Sequence, residues 1–258
     1  MGIFNCADTL SEALESIIAQ TFHDWEIILC DDCSTDDTIK VAEQYVAKYS
    51  PKIKLIRNQE NMGLNFTLNR CLEVAQGEFI ARMDGDDLCA PERFEKELAV
   101  LRAHPEIAIV SANMTFFDKN GIWGQTRLKT KPLPRDFANG TQFCHAAAMV
   151  RKCAYDDVQG YSVDTKLLRV EDYHLWIKMY AKGYRGLNIT EVLYQMRDDR
   201  NAQKRRTWRN RLNECHVRRL AVQMLHLPFY KYCYCLRPII LGLVPSGLYK
   251  LLHKFRNS

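Results

Sequence analysis

Three carboxylates stand within four residues of one another, at Asp84, Asp86 and Asp87. They follow the short apolar run 79–81 and precede Pro91, a residue favoured in the first turn of a helix. This order predicts a strand, an acidic loop (residues 84–87) and a helix, and open α/β sheets bind ligands at the carboxyl ends of their strands. Carboxylates this close repel one another unless a cation compensates them. A Mg²⁺ or Mn²⁺ ion is the natural partner, whereas a solvated acidic turn is the simpler interpretation.

The elements around the acidic loop alternate between strands and helices. Apolar runs predict strands at 25–30, 53–56, 78–83, 107–110 and 186–196. Apolar residues at helical spacing predict helices between these strands, and residues 114–117 and 123–128 flank a hairpin turn. Alternating strands and helices predict an α/β fold with a doubly wound, mostly parallel sheet.

Two short motifs predict where the first helices begin. Thr9 and Glu12 have the spacing of a capping box, in which each side chain bonds a backbone N–H at the start of a helix. Ser34 and Asp37 have similar spacing ahead of the next helix. The chain before Thr9 is too short for a full strand, so the first strand of the sheet is expected to be missing or truncated.

Four motifs in this order resemble the family 2 glycosyltransferases, which have the GT-A fold. The motifs are the turn 31–34, the Asn-x-Gly turn 61–63, the acidic loop with Pro-x-Arg at 91–93, and the Glu-Asp pair 171–172. The resemblance covers roughly residues 4–200, and we expect a GT-A domain over 1–200. It implies an enzyme that transfers a sugar from a nucleotide-sugar donor to a hydroxyl acceptor, with inversion and with help from a divalent metal.

The same resemblance assigns roles on the donor side. Asp86 is the expected metal ligand, and Asp84 is expected on the ribose or in the metal shell. Asp32 resembles the residue that bonds the nucleobase, commonly uracil, and Phe4 is expected near that base. Arg82 either steadies the diphosphate or forms an ion pair with a neighbouring Asp.

On the acceptor side, Asp172 matches the general base that accepts the proton of the acceptor hydroxyl. Taken alone, Asp172 is better explained as a carboxylate stabilised by the helix dipole, and the resemblance is what favours the base role. Glu171, His145 and Arg197 are candidate contacts of the acceptor or the diphosphate. A packed, hydrogen-bonded ring is the alternative for His145.

The end of the chain differs in charge from the rest. Residues 201–258 contain twelve Lys or Arg and one Glu, against 24 basic and 30 acidic residues in 1–200. Aromatic and aliphatic residues lie among these cations, which favours a basic helical tail on an anionic membrane surface. The alternative is a solvated basic helix packed on its own domain. No nucleic-acid module is recognisable, and nucleic acid is not an expected partner.

Ten scattered cysteines and no secretory signal at the start indicate a cytoplasmic protein. The basic, aromatic tail further suggests a peripheral position on the inner face of the cell membrane. Its acceptor is then expected to be a glycan or a lipid-linked intermediate of surface polysaccharide. Two other readings remain open. One is a non-catalytic nucleotide-sugar binding protein. The other is a nucleotidyltransferase, although such enzymes carry a Gly-rich phosphate loop that this sequence lacks.

Overall fold

The computed structural model describes residues 1–198 and 207–243. The strands are β1 (Gly2–Ile3), β2 (Ile27–Asp31), β3 (Ile53–Arg57), β4 (Phe79–Ala81), β5 (Leu88–Cys89), β6 (Ile107–Asp118), β7 (Gly121–Gln125), β8 (Ala148–Arg151) and β9 (Arg185–Arg197). The helices are α1 (Ala7–Ile18), α2 (Thr38–Tyr49), α3 (Leu64–Val74), α4 (Arg93–Ala103), α5 (Lys152–Asp157), α6 (Glu171–Ala181), α7 (Trp208–Met224) and α8 (Arg237–Leu243). Short 3₁₀ helices lie at Pro134–Asn139, Thr165–Leu167 and Phe229–Leu236.

The first sheet is parallel, in the order β1-β2-β3. Every residue of β2 is buried, because α2 and α3 pack against this sheet and α1 shares its core cluster. The expected short first strand is present as the two residues of β1, where Gly2 lies opposite Cys30 and Ile3 opposite Asp31. Parallel strands joined by helices are the arrangement that the sequence predicts for this half.

The second sheet is mixed rather than mostly parallel, in the order β4-β8-β6-β9-β5 with β7 on β6. Only the β6–β9 pairing is parallel among the strands described in this sheet. The predicted hairpin is confirmed: β6 and β7 are joined by two residues, a connection that forces antiparallel pairing. The α/β class therefore holds, while the direction of the later strands differs from expectation.

The predicted helix caps are wrong. The residue preceding α1 is Cys6, and Thr9 lies inside the helix, where its hydroxyl donates to the Gly85 carbonyl at 3.0 Å. Glu12 instead pairs with Arg197 at 2.7 Å. Ser34 accepts a hydrogen bond from the Asn5 N–H across the β1 turn rather than opening α2. These side chains satisfy long-range partners, which local spacing does not reveal.

Helix α7 lies within the predicted tail and packs on the rest of the domain. Its buried face includes Val217 and Ala221, which join the same core cluster as Trp176 of α6. The buried Arg218 guanidinium donates to the Ala138 carbonyl at 2.8 Å. In residues 1–198 and 207–243, no helix is long and apolar enough to cross a membrane. The predicted tail residues 244–258 lie outside the described part of the chain.

Candidate active site

A cavity of about 410 Å³ opens between the acidic loop and the segment that joins β1 to α1. It is lined by Gly2, Ile3, Phe4, Asn5, Cys6, Ala7, Asp8, Thr9, Asp36, Asp84, Gly85, Asp86 and Arg197. Cavities of roughly 300–1,000 Å³ bind small ligands and cofactors. The cavity therefore has room for a small polar ligand at the edge of the sheet.

Asp84 is held at the cavity wall by two hydrogen bonds. Its Oδ1 accepts from the Nη2 of Arg82 at 2.5 Å, and Arg82 is only 4% exposed. Its N–H donates to the Tyr194 hydroxyl at 3.2 Å. Arg82 does not line the cavity, and its contact is the ion pair that the sequence left open as an alternative.

Asp87 faces the protein interior. Its carboxylate accepts from the Tyr194 hydroxyl at 2.9 Å and from the Arg197 N–H at 2.7 Å. Burial, followed by the nearby charges of Asp84 and Asp86, raises the pKa of Asp87 to about 7. Asp87 therefore ties the acidic loop to the end of β9 rather than reaching a ligand.

Asp86 is the second carboxylate at the cavity. Burial and the charge of Asp84 raise the pKa of its side chain. A bound divalent cation would offset this repulsion, so the two carboxylates fit a Mg²⁺ or Mn²⁺ ion that takes further oxygen ligands from a substrate. In the part of the chain that the structure describes, no group of three or more His, Cys, Asp or Glu side chains could hold a metal by itself.

Gly85 lets the acidic loop approach α1 closely. A Cβ atom at this position would lie 2.9 Å from the Cys6 sulfur and 3.3 Å from Ile3 Cγ2. Thr9 fixes the approach through its hydrogen bond to the Gly85 carbonyl. Arg197 completes this wall, donating from Nε to the Asp86 carbonyl at 2.9 Å. The loop is thus fastened on both sides, which sets the direction of Asp84 and Asp86.

Asp32 does not line the cavity, although its N–H donates to the carbonyl of Ile3, a lining residue, at 2.9 Å. Its carboxylate accepts from the Asn58 side chain at 2.7 Å and from the N–H groups of Met62 and Gly63 at 2.8 and 2.9 Å. These bonds join two of the motifs that carry the family resemblance. Asp32 is 5% exposed and its carboxylate is bonded by protein donors, so its expected contact with a nucleobase stays a prediction.

The cavity contains polar residues that the sequence did not single out. Asp36 accepts from the Ala7 N–H at 3.1 Å and from the Thr38 N–H at 3.0 Å. Asn5 has a positive φ of 47°, and its side chain accepts from the Thr35 N–H at 2.9 Å. An Asn between a strand and a helix is a usable signal for such a turn. Phe4 is 46% exposed beside them.

Asp172 lies in the first turn of α6. Its carboxylate accepts from the Thr141 hydroxyl at 3.3 Å. Burial, reinforced by the charge of Glu171, raises the pKa of Asp172 to about 6. The buried Oε2 of Glu171 has no hydrogen-bond partner among the described residues. A carboxylate with such a pKa is mostly ionised at neutral pH and still basic enough to accept a proton.

His145 is packed inside the second half of the protein. Its Nε2 lies 2.7 Å from the Tyr161 hydroxyl, and its ring meets Trp176 edge to face at 6.1 Å. Burial lowers the pKa of His145 well below its usual value, so the ring is neutral. His145 is therefore the packed, hydrogen-bonded ring that the sequence left open as the alternative to a contact with the acceptor or the diphosphate.

The structure thus brings some of the expected site residues together. Those lining the cavity are Phe4, Asp84, Asp86 and Arg197. Those outside its lining are Asp32, Arg82, His145, Glu171 and Asp172.

Known sequences match most of the chain. The family model described as "Glycosyl transferase family 2" matches residues 1–158. The putative glycosyltransferase EpsE of Bacillus subtilis is 42% identical over 256 residues, 99% of this chain and 92% of EpsE. The amylovoran biosynthesis glycosyltransferase AmsE of Erwinia amylovora is 31% identical over 87% of this chain and 84% of AmsE. An Escherichia coli UDP-Gal:alpha-D-GlcNAc-diphosphoundecaprenol beta-1,3-galactosyltransferase is 32% identical over 76% of this chain and 71% of its own.

Solved structures confirm the GT-A fold. S. aureus TarS 1–349 in complex with UDP-GlcNAc superposes with a TM-score of 0.71 at 18% identity, covering 95% of this chain and 75% of that one. The mannosyltransferase PcManGT from Pyrobaculum calidifontis, in complex with GDP-Man and Mn²⁺, has a TM-score of 0.66 at 18% identity. Its match covers 99% of this chain and 78% of PcManGT.

Proposed function

We propose that this chain, which belongs to the family 2 glycosyltransferases, transfers a sugar from a UDP-sugar to a lipid-linked polysaccharide intermediate. The observation that carries this proposal is the pair Asp84 and Asp86, which face one cavity of about 410 Å³ at the edge of the sheet. We refer to it below as the donor cavity.

The donor cavity suits a nucleotide diphosphate. Asp84 and Asp86 would hold Mg²⁺ or Mn²⁺, and the bound metal would neutralise the charge that builds up on the leaving diphosphate. Arg197 lines the cavity, and its guanidinium, which also bonds the Asp86 carbonyl and Glu12, would donate to phosphate oxygens. Phe4 supplies an exposed aromatic face for the base. Related folds that hold UDP-GlcNAc and GDP-Man with Mn²⁺ support this assignment.

Asp172 is the proposed general base. The acceptor hydroxyl oxygen attacks the anomeric carbon while the bond from that carbon to the diphosphate oxygen breaks, and the hydroxyl proton passes to Asp172. A single displacement of this kind inverts the anomeric centre. The raised pKa of Asp172, about 6, suits a base that is ionised before the reaction and protonated after it.

The acceptor is proposed from the relatives. One relative, by its name, acts on GlcNAc linked to diphosphoundecaprenol, and another takes part in amylovoran biosynthesis. A membrane-borne acceptor would place this enzyme at the inner face of the cell membrane.

Donor binding measured by calorimetry tests the proposal. We would titrate UDP-, dTDP- and GDP-sugars, with and without Mn²⁺, into the wild type, Asp86→Asn and a control, Asp24→Asn, whose exposed carboxylate lies outside the cavity lining. We expect Mn²⁺-dependent binding of a UDP-sugar that is lost in Asp86→Asn and retained in Asp24→Asn. Absence of binding by folded wild type, or equal binding by both variants, would refute the assignment.

A further inference from the structure

Residues 229–243 expose an unusual amount of apolar and aromatic surface, here called the tail surface. The exposed fractions are 85% for Phe229, 63% for Tyr230, 54% for Leu236, 57% for Ile240 and 71% for Leu243. The 3₁₀ helix Phe229–Leu236 runs directly into α8, so these side chains belong to one continuous segment. Soluble monomers rarely expose apolar patches larger than a few hundred Å², and larger ones mark interaction sites.

Helix α7 extends the apolar surface. Trp208 and Leu212, near the start of α7, are 53% and 57% exposed. A Cβ atom on Gly242 of α8 would lie 3.1 Å from Trp208 Cη2, so the two helices meet there. The tail surface therefore continues onto the first turns of α7.

Cations are interspersed with these apolar side chains. The Lys231 ammonium lies 5.5 Å from the centre of the Tyr230 ring and 4.7 Å from that of Tyr234. Residues 207–243 contain six Lys or Arg and a single acidic residue, Glu214. Glu214 pairs with Arg218 at 2.8 Å, which leaves the segment positive. Aromatic and aliphatic side chains beside Lys and Arg are characteristic of segments that lie in the interface of an anionic membrane.

The tail surface is attached to the half of the protein that carries Asp172. Cys235, 6% exposed, anchors the 3₁₀ helix, which packs against α7 and against Pro134–Asn139. Two residues beyond Asn139, Thr141 donates its hydrogen bond to Asp172. Docking through the tail surface would therefore bring the acceptor half, rather than the first sheet, towards a lipid-linked substrate.

We propose that the tail surface, with Trp208 and Leu212, docks the enzyme on an anionic lipid bilayer. Excess positive charge favours anionic lipid over a second copy of this basic segment, which would be repelled. The reason for such docking rests on the proposed function, since a lipid-linked acceptor lies in that membrane. Binding to the bilayer itself is measured without donor or acceptor.

Vesicle flotation of the full chain tests the apolar contribution. We expect the wild type to float with vesicles of phosphatidylglycerol and phosphatidylcholine and to stay behind with phosphatidylcholine alone. Phe229→Ser with Leu236→Ser should weaken flotation at least about 10-fold, because both side chains would leave the interface. The matched control, Ile122→Ser with Val163→Ser, removes side chains that are 63% and 62% exposed elsewhere and should float like the wild type.

A charge variant tests the electrostatic contribution without removing an apolar side chain. Lys231→Gln with Arg237→Gln should weaken vesicle binding about 5-fold per charge at low salt. The difference should shrink as salt rises, because screening weakens attraction to the lipid. Lys119→Gln with Arg127→Gln removes two exposed cations elsewhere and should change little.

The outcomes separate the proposals. No flotation of the wild type, or flotation unaffected by both tail variants, would overturn docking through this surface. A wild-type dimer that becomes monomeric in Phe229→Ser with Leu236→Ser, without vesicle binding, would assign the surface to a second copy. Loss of stability in that variant, again without vesicle binding, would assign it to the chain's own residues 244–258. Calorimetric donor binding, measured on the same proteins, reports separately on the proposed function and should be unchanged.

Discussion

The carboxylates of the acidic loop and the carboxylate of Asp172 on α6 have different hydrogen-bond partners. Around the acidic loop, Arg82 donates to the Asp84 carboxylate, and the Tyr194 hydroxyl donates to that of Asp87. On α6, Asp172 receives the Thr141 hydroxyl at 3.3 Å, and no Lys or Arg of the described chain forms an ion pair with it. Burial raises the pKa of Asp86 and Asp87 as well as that of Asp172, so what distinguishes the acidic loop is its bonding: an ion pair for Asp84 and two hydrogen bonds for Asp87.

This difference has a chemical consequence. The pKa of Asp172 is raised chiefly by burial, an effect that persists when donor and metal bind elsewhere. The raised pKa of Asp86 comes partly from Asp84, so a cation between them would reverse that part. Metal binding would therefore change the pKa of Asp86 and leave that of Asp172 largely as it is.

The largest expected effect is a loss of turnover with donor binding retained, from a change at Asp172 alone. Asp172→Asn removes the proposed base, and kcat should fall roughly 10³-fold, within the range of about 10²–10⁴ for general base catalysis. Donor affinity should stay within about 2-fold, because Asp172 does not line the donor cavity. Steady-state kinetics and calorimetry measure the two quantities, and the exposed Asp157→Asn serves as the control. Unchanged kcat would remove Asp172 from the mechanism.

The next prediction concerns a buried ion pair on α4, the helix that follows the acidic loop. Arg93 and Glu97 are both fully buried and pair at 3.2 Å on α4, and Arg93 also faces the Tyr194 ring. Arg93→Met would leave the Glu97 carboxylate buried without its partner and should lower the free energy of unfolding by about 3–5 kcal/mol.

The double variant Arg93→Met with Glu97→Leu is the control for this pair. It removes both charges and should recover most of the loss, as measured by urea denaturation. A double variant as unstable as Arg93→Met would show that lost packing, rather than the unpaired charge, is responsible.

These two regions also differ in how far the sequence anticipates them. A run of apolar residues followed by Asp84 and Asp86 identifies a strand end, and that end is where the cavity lies. The burial of Arg93 in its Pro-x-Arg motif is not evident from the sequence, because burial depends on residues distant in the chain. Asp32 shows the same limit: its partners Asn58, Met62 and Gly63 become neighbours only after β2 pairs with β3.

The direction of the later strands was equally hidden. Apolar runs predict that β6 and β9 exist, but pairing direction depends on contacts between segments far apart in the chain. β8 pairs antiparallel with both β4 and β6. His145 illustrates the point for side chains, since the Tyr161 hydroxyl that satisfies it is sixteen residues away.

A smaller effect tests the raised pKa of Asp172 through the pH dependence of kcat. Activity requires ionised Asp172, whose pKa of about 6 lies above its ordinary value, so kcat should fall as pH falls through 6. At pH 5 it should be about 10-fold below the plateau, following the ionised fraction of a single group. Saturating donor and metal separate this effect from binding. The residual activity of Asp172→Asn should be flat over the same range, and a wild-type profile without this fall would point to another base.

The smallest effect asks whether the donor half also relies on a strained turn. Cys33, between β2 and α2, has a φ of 64°, a conformation that Gly adopts without steric cost. Cys33→Gly loses a weak thiol contact to the Gln59 carbonyl at 3.6 Å and should still raise the free energy of unfolding by about 0.5–1 kcal/mol. Cys153→Gly, the same change inside α5, should lower it by about as much. Urea denaturation compares the two. If Cys33→Gly destabilises the protein, the thiol contact outweighs the backbone strain. If it stabilises the protein and leaves donor affinity unchanged, the strained backbone at Cys33 is not needed for donor binding.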